Sequence, residues 1–419
     1  MLNSIKYVII IGDGMADYPI SSMGGKTALM IAKKPNLDWM AKHGEIGLVK
    51  TIPDGFDPGS EIANLSILGY DPYKYYTGRG PLEAASLGVR LEKGDIAFRL
   101  NLVTLIFRNG KIYMDDFSSD HISDEEAKAI ISDLSRELGT EMVKIYHGLS
   151  YRHLMVLKNG LSRFLTIEDL KLKPPHDIMG EEITSYLSNL NQSNGGNLII
   201  KLMKESQRIL KDHPINLKRR EKGVKEANSI WLWGQGKSPQ MPLLKSRFGI
   251  EGYVISAVHL IKGIGILAGL EVIDVPGITG YFDTNYEGKG LYALKSLEEK
   301  DLVYIHVEAP DEAGHIGDLK LKVKAIEDFD EKVVGTILKG INRFKKYKIM
   351  VLPDHPTPIS LRTHTRDPVP YLIYDSEAKA KVSDKGFDEV SGAESGIFIE
   401  RGFELIERFL IQKPIQQGR

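Results

Sequence analysis

The chain has 419 residues, 55 Lys and Arg against 56 Asp and Glu, no cysteine, and 42% hydrophobic residues. That composition is ordinary for a globular protein, and its balanced charge argues against a nucleic-acid partner. The absence of cysteine excludes a disulfide framework and thiolate metal ligands, so any metal must be held by His and carboxylates.

The length exceeds that of a usual single domain, which predicts either a core with an insertion or two domains. The first element is the apolar run "YVIII" from Tyr7. Five residues are too few for a signal peptide's apolar region or a membrane span, so the run reads as a buried strand. No membrane partner and a cytoplasmic location are expected. Next, "DPGSEIANLSILG" (Asp57–Gly69) opens on a turn and continues with helical spacing of Ile62, Leu65, Ile67 and Leu68. Ser60 stands at the joint. Taken alone it reads as an N-cap, its hydroxyl accepting from a free N–H of the first turn. The alternative is a nucleophile, because a helix start favours an alkoxide or a bound phosphate. A serine hydroxyl needs activation before it can serve so.

From about residue 90 the pattern changes. "DIAFRLNLVTLIFRNGKIYMDD" reads as two strands joined by an Asn109-Gly110 turn. Ser123 and Glu126 form a capping box ahead of a helix. Strands around "MVKIYHG" and "YRHLMVL" follow. These elements predict an inserted α+β lid domain over residues 90–190, with the polar stretch Leu187–Asn197 as its exit linker. Residues 1–89 and 191–419 then form a discontinuous core. In that second part "SIWLWG", "YVISA", "LVYIHV", "KIMVL" and "PYLIY" read as buried strands. "KVKAIEDFDEKVVGTIL" and "GFELIERFL" read as helices. The expected fold class is α/β, with a mostly parallel sheet flanked by helices.

Three predicted strands end in acid: the first at Asp13, "LVYIHVEAPDEAGH" at Asp311 with His315 four residues on, and "KIMVLPDH" at Asp354-His355, with His364 following. Any one Asp could be a cap or loop charge, and any one His a surface residue. Together they converge, because ligands in open α/β sheets bind at the carboxyl ends of strands. Carboxylate and imidazole are natural ligands for Zn²⁺, Mn²⁺ or Mg²⁺, and the set plus a serine hydroxyl suits a two-metal centre, in which Ser60 would accept a phosphoryl group. "GDG" at Asp13 is too short for a dinucleotide-binding fingerprint. Trp231 and Trp233 alternate on one strand and read as core packing. The basic stretch Lys201–Lys225 reads as solvated.

The motifs "IIIGDGMADYP", "GSEIANLSILGYDP", "YYTGRGPLEAASLGV", "AFRLNLVT", "IWLWGQGKSPQMP", "PGITGYFDTNYEGK", "VEAPDEAGHIGD" and "LPDHPTPISLRTHTRDPVP" resemble, in order, those of the archaeal-type cofactor-independent phosphoglycerate mutases of the alkaline phosphatase superfamily. The resemblance implies an alkaline-phosphatase-like core interrupted by a smaller domain. It implies a phosphoserine on Ser60, one metal bound by Asp13, Ser60, Asp354 and His355, and a second bound by Asp311, His315 and His364. The metals would be two divalent ions, Mn²⁺ first, with Mg²⁺, Co²⁺ or Zn²⁺ also compatible. The implied reaction interconverts 3-phosphoglycerate and 2-phosphoglycerate without bisphosphoglycerate. Glycerate must stay bound between transfers, and the basic candidates to hold it are Lys262, Arg152, Arg219 and Arg99, with Lys262 and Arg152 also cast as catalytic. His147 and His153 flank Arg152 as a proton relay or as structural residues. A phosphatase or another phosphotransferase of the superfamily, acting on a different small phosphate ester, is the alternative enzyme. A scaffold that kept the fold is the non-enzymatic one. The metal used and any homo-oligomer stay open.

Overall fold

The computed structural model describes residues 5–160, 170–193, 195–378 and 383–411. The chain divides into two compact units, Met1–Tyr76 with Met241–Arg419, and Thr77–Gln240. In chain order the strands are β1 (Lys6–Gly12), β2 (Glu45–Val49), β3 (Ile96–Arg108), β4 (Lys111–Asp116), β5 (Val143–Leu149), β6 (Arg152–Leu157), β7 (Ser229–Gly236), β8 (Gly252–Ile255), β9 (Glu271–Val272), β10 (Leu302–Val307), β11 (Tyr347–Leu352), β12 (Val369–Asp375) and β13 (Phe398–Ile399).

The first unit is built on an eight-stranded sheet of order β13-β2-β12-β11-β1-β10-β8-β9. Its centre is parallel: β1 pairs with β10 and with β11, and β10 with β8. β12 runs antiparallel to both β11 and β2, so the sheet is mixed. Every residue of β1, β10 and β11 is buried. Helices cover both faces of such a sheet, so its central strands read as unbroken apolar runs rather than as alternation. One face packs Val8, Ile10, Val303, Ile305, Ile349 and Val351 against helices, including Phe329, Val333 and Ile337. The expected long helix from Lys322 is three continuous pieces: α-helix Leu319–Asp328, a wider π-helical turn Phe329–Val334, and α-helix Gly335–Ile341. The wide turn carries Asp330, whose carboxylate accepts from the backbone N–H groups of Leu37 at 2.7 Å and Asn36 at 3.2 Å.

The second unit is a five-stranded antiparallel sheet organised on β3. This strand is long enough to hold three partners: β6 along one edge, β7 along the other, and β4 beyond residue 104. Asn109 and Gly110 have φ of 50° and 71°, as a two-residue hairpin turn of the primed kind requires. The Ser123 hydroxyl accepts from Glu126 N–H at 3.3 Å at the start of the helix Asp124–Leu138.

The unit's boundaries, Thr77 and Gln240, differ from the expected 90 and 190. "SIWLWG" is β7, and it pairs with β3 rather than joining the core sheet. Ile199, Leu202, Met203 and Leu210 of the helix Gly196–Leu210 share a core with Ile230 and Trp231 of β7. The stretch expected as an exit linker is largely the end of one helix, Thr184–Gln192, and the start of the next. A short apolar run looks alike in either sheet, and only non-local pairing decides which one it joins.

Candidate metal centre

Three adjacent parallel strands deliver the acidic residues to one edge. The register aligns Ile11 with both His306 and Leu352, so β1, β10 and β11 end side by side. Asp13 follows β1, and Asp354-His355 follows β11. After β10 comes the helix Ala309–Ile316, whose Asp311 and His315 lie four residues apart and therefore on one face. Gly14, at φ +60°, lets the first loop pass close beneath Asp311. A Cβ there would sit 2.5 Å from Asp311 Oδ1 and 2.6 Å from Thr357 Oγ1, which explains the "GDG" sequence by packing.

Ser60 is the first residue of the helix Ser60–Ile67, and Gly59 is its N-cap, with no side-chain cap bond. The N-cap reading of Ser60 is therefore corrected. Its hydroxyl instead lies 3.1 Å from His355 Nε2. The same Nε2 lies 3.4 Å from Asp13 Oδ1 and 3.6 Å from Asp354 Oδ2. Beside it, His315 Nε2 is 3.2 Å from Asp311 Oδ2 and 2.9 Å from His364 Nε2, and His364 Nε2 is 3.4 Å from Asp311 Oδ1. The His355 and His364 rings approach to 4.1 Å between centroids. The structure thus brings together all seven residues expected as ligands. Candidate ligand atoms of Asp13, Asp354 and His355, and of Asp311, His355 and His364, lie within 4.8 Å of one another in each group.

The electrostatics fit a cation. Asp13, Asp311 and Asp354 are 2%, 6% and 0% exposed, and buried carboxylates need compensation. Burial, then the neighbouring Asp354, Asp311 and Glu308, drives the Asp13 carboxyl well above its usual range. Burial would likewise raise Asp311, but hydrogen bonds from His315 and His364 hold it well below the usual value. Its partner His315 rises to about 9, chiefly through that bond. Burial lowers His355. Asp13 Oδ1 is buried without a hydrogen bond. His315 Nδ1 lies 3.0 Å from the carbonyl of Arg362 and donates there; once the ring loses its second proton, Nε2 is the lone pair that faces His364 and Asp311. Two imidazole nitrogens 2.9 Å apart, amid hard oxygens, form a donor set suited to divalent first-row or alkaline-earth ions.

Sequence reasoning missed several groups here. His306, wholly buried, sets Nε2 3.1 Å from Asp13 Oδ2, and neither ring nitrogen has a hydrogen bond. Burial holds it near 4, hence neutral. Thr357 Oγ1 donates to Asp311 Oδ1. Lys322, wholly buried, pairs with Asp17 at 2.9 Å and donates to the carbonyls of Ala16 and Thr357, tying the loop after β1 to the loop after β11. The only sequence signal was period-two alternation, which puts His306 on the face of β10 opposite Val303 and Ile305.

The basic candidates fare unevenly. Lys262 pairs with Asp274 at 3.0 Å and makes no hydrogen bond or ion pair with the seven ligand candidates. Arg219 is buried, and its three nitrogens donate to Lys225 O, Glu126 Oε2 and Ser119 O at 2.8, 2.5 and 2.6 Å. That is a structural clamp within the second unit, made by a residue expected to bind substrate. The capping-box Glu126 anchors it, a connection invisible in sequence. Arg99 pairs with Glu83 at 2.9 Å and lies over the Trp233 ring at 4.3 Å. Arg79 lies over the same ring at 5.6 Å, and His176 sits 5.3 Å from it. Arg152 is exposed, with Nη2 donating to Tyr151 Oη at 2.6 Å. Burial, and then the charges of Arg79, Arg99 and Arg152 against the pull of Asp177, lowers His176. The second unit therefore holds a cationic cluster around Trp233, of which only Arg99 and Arg152 were anticipated. His153 is buried, accepts from Gly148 N–H at 3.1 Å, and is pushed down to about 3 by burial and then by His147.

Fold and site together define a class: an α/β protein with a mixed sheet flanked by helices, carrying a serine hydroxyl among buried carboxylates and imidazoles at its strand ends. The sequence profile of the 2,3-bisphosphoglycerate-independent phosphoglycerate mutases matches residues 41–216. The phosphoglycerate mutase of that name from Methanosarcina barkeri is 50% identical over 403 residues, 96% of this chain and 98% of that one. A solved structure from Pyrococcus horikoshii superposes with a TM-score of 0.80 at 29% identity, covering 99% of this chain and 100% of the other. The cofactor-independent phosphoglycerate mutase of Thermoplasma acidophilum gives a TM-score of 0.63 at 28% identity, covering 97% and 98%. The chain belongs to the 2,3-bisphosphoglycerate-independent phosphoglycerate mutase family, and it is an enzyme. Among the described residues, no helix is long and apolar enough to cross a membrane.

Proposed function

We propose that this enzyme interconverts 3-phosphoglycerate and 2-phosphoglycerate through a phosphoryl group carried on Ser60, without a bisphosphoglycerate cofactor. The observation that carries the reading is the Ser60 hydroxyl, unused as a cap and set 3.1 Å from His355 Nε2 within the carboxylate–imidazole cluster. Asp13, Ser60, Asp354 and His355 would hold one divalent ion, and Asp311, His315 and His364 the other, with Mn²⁺ the first candidate. Two such ions supply positive charge that favours a serine alkoxide and a polarised phosphoryl group.

The remaining chemistry lies with the chain. Ser60 Oγ forms a bond to phosphorus as the bond to the substrate oxygen breaks, and the serine proton ends on the released glycerate hydroxyl. The second transfer reverses these changes at the other hydroxyl. The helix Ser60–Ile67 begins at the residue that takes the phosphoryl group, and the positive end of a helix dipole favours negative charge there. Arg152, with Arg79, Arg99 and His176 nearby, offers the second unit's cationic charge for the substrate carboxylate. The second unit serves as the lid in this reading, and the enzyme works in the cytoplasm on a small-molecule substrate.

The test is incubation with 3-phosphoglycerate and Mn²⁺, following 2-phosphoglycerate and inorganic phosphate together by ³¹P NMR. Isomerisation with little free phosphate is expected. Phosphate as the main product would replace the mutase with a phosphatase.

A further inference from the structure

Asn64 stands one turn beyond Ser60 on the same helix, and it is 0% exposed. Its Nδ2 donates to Ser60 O at 2.8 Å and to Asp354 Oδ2 at 2.9 Å. Both partners are acceptors only, so the nitrogen end of the amide must face them and the oxygen end must face a donor. That donor is the hydroxyl of Tyr304, a wholly buried residue on β10. Burial, then the nearby Asp354 and Asp13, raises the Tyr304 hydroxyl well above its usual range, so it keeps its proton. The other carboxylate oxygen of Asp354 accepts from the backbone N–H groups of Gly14 at 3.2 Å and His355 at 2.9 Å. Backbone therefore holds one oxygen of Asp354, and a side-chain chain from the sheet holds the other.

We propose that Tyr304 and Asn64 are positioning residues whose linked hydrogen bonds set the Asp354 carboxylate and the helix start at Ser60 in one mutual orientation. The inference rests on the reading of Ser60 and Asp354 as nucleophile and ligand. A buried amide has two orientations related by a half-turn, and they exchange its donor and acceptor ends. Tyr304 selects one. Without its hydroxyl, Oδ1 has no donor, and the flipped amide sets an acceptor against the carboxylate and the Ser60 carbonyl. Asp354 then turns away from the direction shared with His355 Nε2 and Ser60 Oγ. Outer hydrogen bonds of this kind change metal affinity by about 10- to 100-fold when removed.

The experiment compares wild type, Tyr304→Phe, Asn64→Ala and the double variant. Mn²⁺ binding to metal-free full-length protein is measured by calorimetry, and phosphate incorporation from 3-phosphoglycerate by intact mass. Tyr304→Phe keeps ring and volume, and its folding is checked by thermal unfolding. It is expected to weaken Mn²⁺ binding about tenfold and to lower the fraction of chains phosphorylated. Asn64→Ala is expected to weaken binding at least as much. Because Tyr304 acts through Asn64, the double variant should bind no worse than Asn64→Ala. Wild-type affinity and phosphorylation in a folded Tyr304→Phe overturn the inference, as does simple additivity in the double variant. Should Asn64→Ala fail to fold, Tyr304→Phe alone decides. A wild type that binds no Mn²⁺, or carries no phosphate on Ser60, overturns the underlying reading and the inference with it, so the two failures are distinct.

Discussion

Replacing Ser60 with alanine separates the chemical role of its hydroxyl from its structural one. As an N-cap, the hydroxyl would be worth about 1 kcal/mol of helix stability. The structure assigns the cap to Gly59, so no cap bond is lost. What Ser60→Ala removes is the 3.1 Å contact with His355 Nε2 on a half-buried side chain. One such hydrogen bond contributes about 1 kcal/mol net, and alanine is a better helix former than serine. A stability change of about 1 kcal/mol or less is therefore expected in urea unfolding of the metal-free protein. Loss of the proposed nucleophile would act on the barrier instead. A fall in turnover on the order of 10³-fold or more corresponds to about 4 kcal/mol. The assay is the 3-phosphoglycerate to 2-phosphoglycerate rate in saturating Mn²⁺, with peptide mapping of the phosphorylated residue in quenched wild type. A folded variant that keeps more than a trace of mutase activity refutes the argument, and so does phosphate mapped to another residue.

Removal of divalent ions with EDTA is expected to abolish turnover, and Mn²⁺ or Co²⁺ to restore it; full activity in protein shown to be metal-free by elemental analysis would contradict the ligand assignment. In the metal-free protein His315 is raised to about 9, so it is protonated at pH 7 and must lose its proton to bind a metal. Mn²⁺ affinity should therefore rise from pH 6 toward pH 9, with proton release seen as buffer-dependent calorimetric heats; a pH-independent affinity would place His315 outside the site. Arg152→Ala is expected to raise the share of inorganic phosphate formed from 3-phosphoglycerate at the expense of 2-phosphoglycerate, because glycerate held less firmly leaves before the second transfer. A parallel fall of both products would remove Arg152 as a retention group.

Much of this enzyme was legible in local pattern. Buried parallel strands announce themselves as the apolar runs "YVIII", "LVYIHV" and "KIMVL", since both faces are covered. The acids and histidines just past those runs indicate a site, because parallel strands present their carboxyl ends on one edge. The Asn109-Gly110 turn and the Ser123–Glu126 box are short-range signals with short-range causes. Other features depended on residues distant in sequence. β7 has the composition of a core strand, yet β3 claims it across more than a hundred residues, and this moves the boundary of the second unit to Gln240. Ser60 looks like a cap until Gly59 is found in that place. Arg219 looks like a solvated charge or a substrate ligand, but Glu126, Ser119 and Lys225 enclose it. Asn64 and Tyr304 lie 240 residues apart, and nothing near either one shows that they meet. Periodicity and turn chemistry act over a few residues and are written locally. The pairing of strands and the closing of buried hydrogen bonds depend on which segments the fold brings together, and that is decided only when the whole chain packs.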